Sequence, residues 1–94
     1  MLSFRLLAPA ERDARVAARF YESVAPGQEV EFRASLQRAL DSVRQHPALG
    51  RVADVGLRII VLDRFPFKVL YRVKADVIVV VAVAHDRRRP GYWR

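Results

Sequence analysis

Side chains able to bind phosphate and to move protons crowd into the last third of this 94-residue chain. Phe67-Lys68-Val69-Leu70-Tyr71-Arg72-Val73 nearly alternates apolar with polar positions, so Lys68 and Arg72 share one strand face and both can approach one phosphate. An apolar run follows, and then His85, Arg87, Arg88, Arg89, Tyr92, Trp93 and Arg94. Cleavage of RNA through its 2′-hydroxyl needs a base for that hydroxyl, a cation for the phosphate and an acid for the leaving oxygen. His85 and Tyr92 are the candidate proton carriers, histidine being the side chain that ordinarily titrates nearest neutrality. Lys68, Arg72 and Arg87 are the candidate phosphate ligands of such a centre.

The same residues also make a contact surface without chemistry. Arginine binds carboxylate or phosphate through a planar, two-pronged fork, so Arg87, Arg88, Arg89 and Arg94, with Tyr92 and Trp93 between them, can grip a target. Each has an ordinary structural role too. A histidine at a strand end often bonds the next loop, lysine and arginine snorkel from an open sheet face, and Trp93 can pack a tail back on the sheet. No cysteine is present, and His46 and His85 are far apart, so neither a metal site nor a cofactor is expected.

Charge gives direction to the contact reading. Residues 1–50 carry seven arginines against six acids, a net of +1, whereas residues 51–94 carry ten Lys and Arg against four acids, a net of +6. Nearly all the excess sits in one half. That asymmetry predicts an anionic partner on one side of the molecule, either nucleic acid or an acidic protein surface. No stretch approaches the roughly 18 apolar residues that span a bilayer, and the apolar start is too short for a signal peptide. A soluble cytoplasmic protein without membrane contact is expected.

The elements that must position these groups form one domain over residues 1–94. Ser3 to Leu7 reads as a strand. A helix opens at Ala8-Pro9-Ala10-Glu11, with Ala10, Ala14, Ala17, Tyr21 and Val24 on one face. Ala25-Pro26-Gly27 breaks it. A second helix places Phe32, Leu36, Ala39, Leu40 and Val43 together and ends before Pro47. Strands are expected at Leu57–Leu62, Phe67–Val73 and Val77–Ala84, the last apolar on both faces and therefore central. The order β-α-α-β-β-β predicts an α+β fold, a helical hairpin packed on a mostly antiparallel four-stranded sheet.

This order, with Phe65-Pro66-Phe67-Lys68-Val69-Leu70-Tyr71-Arg72-Val73 and Val83-Ala84-His85-Asp86-Arg87-Arg88-Arg89-Pro90-Gly91-Tyr92-Trp93, resembles the RelE/ParE toxins. The likeness is nearer to the ParE-like branch, and Phe20-Tyr21-Glu22, Ala25-Pro26-Gly27 and His46-Pro47-Ala48-Leu49-Gly50 extend it over the whole chain. It implies the toxin of a type II toxin–antitoxin system, held inactive by a cognate antitoxin with an acidic segment. ParE-like members are understood to poison DNA gyrase without a nuclease site; RelE-like members cut messenger RNA on the ribosome. Lys68 stands about where RelE-like proteins place a catalytic arginine. The nearly neutral helical half departs from the broad basic surface of those nucleases and favours gyrase inhibition. A ribosome-dependent endonuclease and an inactive, degenerate toxin are the alternatives.

Overall fold

Alanine decides how the first helix packs. In the computed structural model, which describes residues 2–87, Ala10, Ala14, Ala17 and Ala18 of α1 (Ala8–Val24) are buried, and their small size lets the helix lie close on the sheet. Pro9 sits in the first turn, where a missing N–H costs no helical hydrogen bond. Val24, expected on the buried face, is 65% exposed. It follows Val16 and Phe20 at intervals of four, and that stripe is turned away from the alanine face.

The break before α2 (Gln28–Gln45) is fixed from two sides. Gly27 has φ of 88°, a left-handed backbone that a side chain would strain. Glu22 reaches over from α1, and its carboxylate accepts the N–H groups of Gly27 (3.1 Å) and Glu29 (3.0 Å). Those donors hold its pKa below the usual carboxylate range. Phe32, Leu36, Ala39, Leu40 and Val43 are buried as their spacing predicts, together with Ser35.

The sheet has five strands in place of the expected four: β1 (Ser3–Leu6), β2 (Arg51–Asp54), β3 (Leu57–Val61), β4 (Phe67–Lys74) and β5 (Val77–His85). Their order is β1-β5-β4-β3-β2, with β1 parallel to β5 and every other pair antiparallel. The additional strand, β2, is four residues long and pairs with β3 through a tight turn at Gly56, whose φ is 69°. The rest of the α+β expectation holds, with β5 between β1 and β4.

Register puts Phe67, Val69 and Tyr71 on the side of the helices and Lys68, Leu70 and Arg72 on the other. Leu70 pairs with Ala82, but Tyr71 pairs with Val80, so Val81 is an extra residue on β5. This bulge reverses the side-chain alternation along the strand. Ile78 and Val80 before it, and Val83 after it, therefore all face the helices. Tyr21, Phe32, Phe65 and Phe67 close the core in an aromatic cluster, with Tyr21 and Phe32 stacked at 5.6 Å and Tyr21 and Phe65 edge-on at 4.7 Å.

Candidate functional site

The helix-free face of the sheet carries cations in register. Arg5 on β1 and Arg72 on β4 both pair with Val79, one from each side, which sets them two strands and roughly 10 Å apart. Lys74 lies on the same face, paired with Val77. Arg51 extends the set on β2, opposite Ile59. Arg5, Arg51 and Lys74 are exposed, and Arg72 is half-buried. The Nε atom of Arg72 is enclosed without a hydrogen-bond partner among the described residues.

Lys68 differs from these. It lies between Val61 and Ala84 in register and is only 7% exposed, with no hydrogen bond or ion pair among the described residues. It shares its face with Arg72, as expected. The two are four residues apart on one strand, however, and so roughly 13 Å apart at their Cα atoms.

His85 lies on the opposite side. It pairs with Phe67, and its ring sits edge-on to the Phe67 ring at 5.3 Å, facing α1. Its Nδ1 accepts the Arg87 N–H at 3.1 Å. With Nδ1 engaged as an acceptor, the ring proton of the neutral imidazole is on Nε2. The histidine thus shapes the turn that leads into Arg87, and the sheet separates it from Lys68 and Arg72. Arg88, Arg89, Tyr92, Trp93 and Arg94 lie outside the described residues.

Next to His85 is a groove of about 520 Å³ between α1 and the end of β5, lined mainly by Val16, Phe20, Tyr21, Phe67 and His85, with Arg12 and Asp13 at its margin. Val16 and Phe20 are more than half exposed. The sequence concealed this groove, because Val16 and Phe20 stand among arginines on the polar side of α1. Arg5 and Arg51 were missed as well. Alternation in Ser3-Phe4-Arg5-Leu6 could have placed Arg5 on the free face, given the parallel pairing with β5.

A sequence profile of the family described as ParE toxin of type II toxin-antitoxin system, parDE, matches residues 4–90. The chain belongs to the ParE toxin family. It is the toxin component of a type II toxin–antitoxin system, and its partner is an antitoxin. Among solved structures, this ParE-family toxin is similar to a chain of the chromosomal ParDE toxin–antitoxin system from P. aeruginosa. The TM-score is 0.78 at 20% identity, over 90% of this chain and 96% of that one, a likeness of fold. No curated protein matches the toxin. Among its described residues, no helix is long and apolar enough to cross a membrane, and no three His, Cys, Asp or Glu side chains gather as a metal site would require.

Proposed function

We propose that this toxin arrests growth by binding and inhibiting DNA gyrase, and that it has no nuclease centre of its own. One observation carries the reading. The cations on the helix-free face stand in a row, while the histidine that could serve as a general base lies on the other side of the sheet. A row of arginines and lysines grips a polyanion or an acidic protein surface, and among the described residues no histidine stands beside it to move the protons of RNA cleavage. Arg5, Arg72 and Lys74 supply the contact, together with Arg87 and the arginines that follow it in the sequence. Trapping gyrase on cleaved DNA then leads to double-strand breaks and growth arrest in the cytoplasm. The antitoxin carries an acidic segment that offsets part of the +6 charge of residues 51–94.

The test adds the purified toxin to gyrase with relaxed plasmid and, separately, to a reconstituted translation system. Inhibition of supercoiling without message cleavage is expected, and Arg5→Glu with Arg72→Glu should weaken it at least tenfold. Each lost phosphate contact should also lower the slope of log affinity against log salt by about 0.9. Cleaved messages would establish the ribosome-dependent endonuclease instead, and inactivity in both systems would mark a degenerate toxin.

A further inference from the structure

The margin and the centre of the helix-free sheet face differ in burial. Arg5, Arg51 and Lys74 at the margin are exposed. In the centre, Ile59, Leu70 and Ala82 stand abreast on β3, β4 and β5, and Lys68 and Ala84 lie in the next row. These five, with Leu57, are each at most 7% exposed.

Nothing among the described residues accounts for that burial. Leu57, Ile59, Leu70, Ala82 and Ala84 form a cluster of their own, joined by Ala53 and Val81 and by no residue of α1 or α2. Neighbours within a sheet shield the flanks of a side chain but leave its tip in solvent on a face without a second layer. Val61, in the row of Lys68 and Ala84, shows this at 59% exposed. Lys68 is the sharpest case. A lysine on an uncovered sheet extends its ammonium into water, whereas this one is hidden and has no hydrogen bond or ion pair among the described residues.

The face specifies its cover. The floor of Leu, Ile and Ala asks for apolar or aromatic side chains, and the Lys68 ammonium asks for oxygen acceptors such as backbone carbonyls. The sequence after Arg87, Arg88-Arg89-Pro90-Gly91-Tyr92-Trp93-Arg94, offers both. β5 ends at His85, and the Asp86 N–H donates to the Pro66 carbonyl, so the chain leaves the sheet one residue beyond Ala84 and the row of Lys68. Seven residues reach at most roughly 25 Å, and β3 lies two strand spacings, roughly 10 Å, from β5. Pro90-Gly91 favours a turn in between.

We propose that residues 88–94 fold back across the helix-free face as a strap. The Trp93 ring lies on Ile59 and Leu70, and carbonyls of the segment accept from Lys68. The strap covers the apolar centre and leaves Arg5, Arg51 and Lys74 open at the margin. It also brings Arg88, Arg89 and Arg94 to the face that carries the other cations. This seat is a property of the toxin alone and does not depend on its target.

Trp93 is the single tryptophan and the chain has no cysteine, so the test has a native fluorophore and a unique labelling site. In the full-length toxin, indole emission should lie to the blue of its position in urea, and acrylamide should quench it at least fivefold less efficiently. A nitroxide on Val61→Cys, exposed beside Lys68, should broaden the Trp93 indole N–H resonance beyond detection. A nitroxide on Val16→Cys, on the exposed side of α1 behind the sheet, should leave most of its intensity. Ala84→Arg, beneath the strap, should shift the emission to the red with unchanged circular dichroism; if that variant unfolds, the two nitroxides decide. Water-like emission with equal broadening from both labels would overturn the strap. Broadening that arises only between nitroxide-labelled and unlabelled molecules would show a second copy covering the face and would overturn it too.

Discussion

Replacing His85 by alanine separates a binding toxin from a nuclease, because the two readings differ by orders of magnitude. The side chain makes two interactions that the substitution removes. Its edge-on contact with Phe67 is worth about 0.5–1.5 kcal/mol, and the hydrogen bond from the Arg87 N–H about the same. The expected loss of stability is therefore about 1–3 kcal/mol, read as a lower urea midpoint at an unchanged m-value. A domain with about 5 kcal/mol of stability that loses about 2 remains roughly 99% folded at 25 °C. Inhibition of gyrase by the His85→Ala toxin should thus stay within about threefold of the original. Loss of a general base would instead reduce turnover about 10²–10⁴-fold. Dose–response curves for supercoiling inhibition and for message cleavage in a reconstituted translation system, with circular dichroism to confirm folding, decide the matter. Message cleavage by the original toxin that falls a hundredfold or more in the folded variant would refute the binding reading and restore His85 to a catalytic role.

Two further outcomes concern the frame that holds the cationic face. The Tyr71 hydroxyl donates to the Pro47 carbonyl at 2.8 Å and accepts the Gly50 N–H at 2.9 Å, tying the loop before β2 to the centre of the sheet. Tyr71→Phe strands two polar groups in a buried site and should cost about 2–4 kcal/mol in urea unfolding; a loss below about 0.5 would show that the loop adapts freely. Asp63 accepts from Arg38 at 2.8 and 3.1 Å and from Ser35 at 2.6 Å, and these donors, Arg38 foremost, hold its pKa at about 2. A depressed carboxylate contributes stability that is complete above its unfolded value, near 4, and is lost as pH falls toward 2. Thermal unfolding of the original toxin should steepen in that window, and Asp63→Asn should flatten it; equal slopes for both proteins would disprove the coupling.

Much of the fold could be read from side-chain periodicity, and the failures have physical causes. The buried face of α2 follows from Phe32, Leu36, Ala39, Leu40 and Val43 because large apolar residues mark it unmistakably. On α1 the buried residues are alanines, while the bulkier Val16, Phe20 and Val24 remain exposed. Hydrophobic size there marks the exposed side of the helix, not the core. β2 escaped notice because a four-residue edge strand, Arg51-Val52-Ala53-Asp54, with both ends charged has no alternation to distinguish it from a loop. The helpful sign was Gly56, whose left-handed backbone turns β2 into β3.

The candidate site was legible in its residues but not in its geometry, and one residue accounts for the difference. Val77–Ala84 is apolar throughout, so nothing in the run marks where alternation slips. Strict alternation from Ile78, which faces the helices, would send His85 to the helix-free face, beside Lys68 and Arg72. Proton carrier and phosphate ligands would then share one surface, as a nuclease requires. The bulge at Val81 reverses that parity. It turns His85 toward Phe67 and the α1 groove, away from the cations of β1 and β4. The same reversal aims Val83 and its side chain at α1, where the backbone N–H meets Asp13. A single extra residue in β5 therefore puts His85 on the α1 side of the sheet and leaves Arg72 and Lys74 on the other.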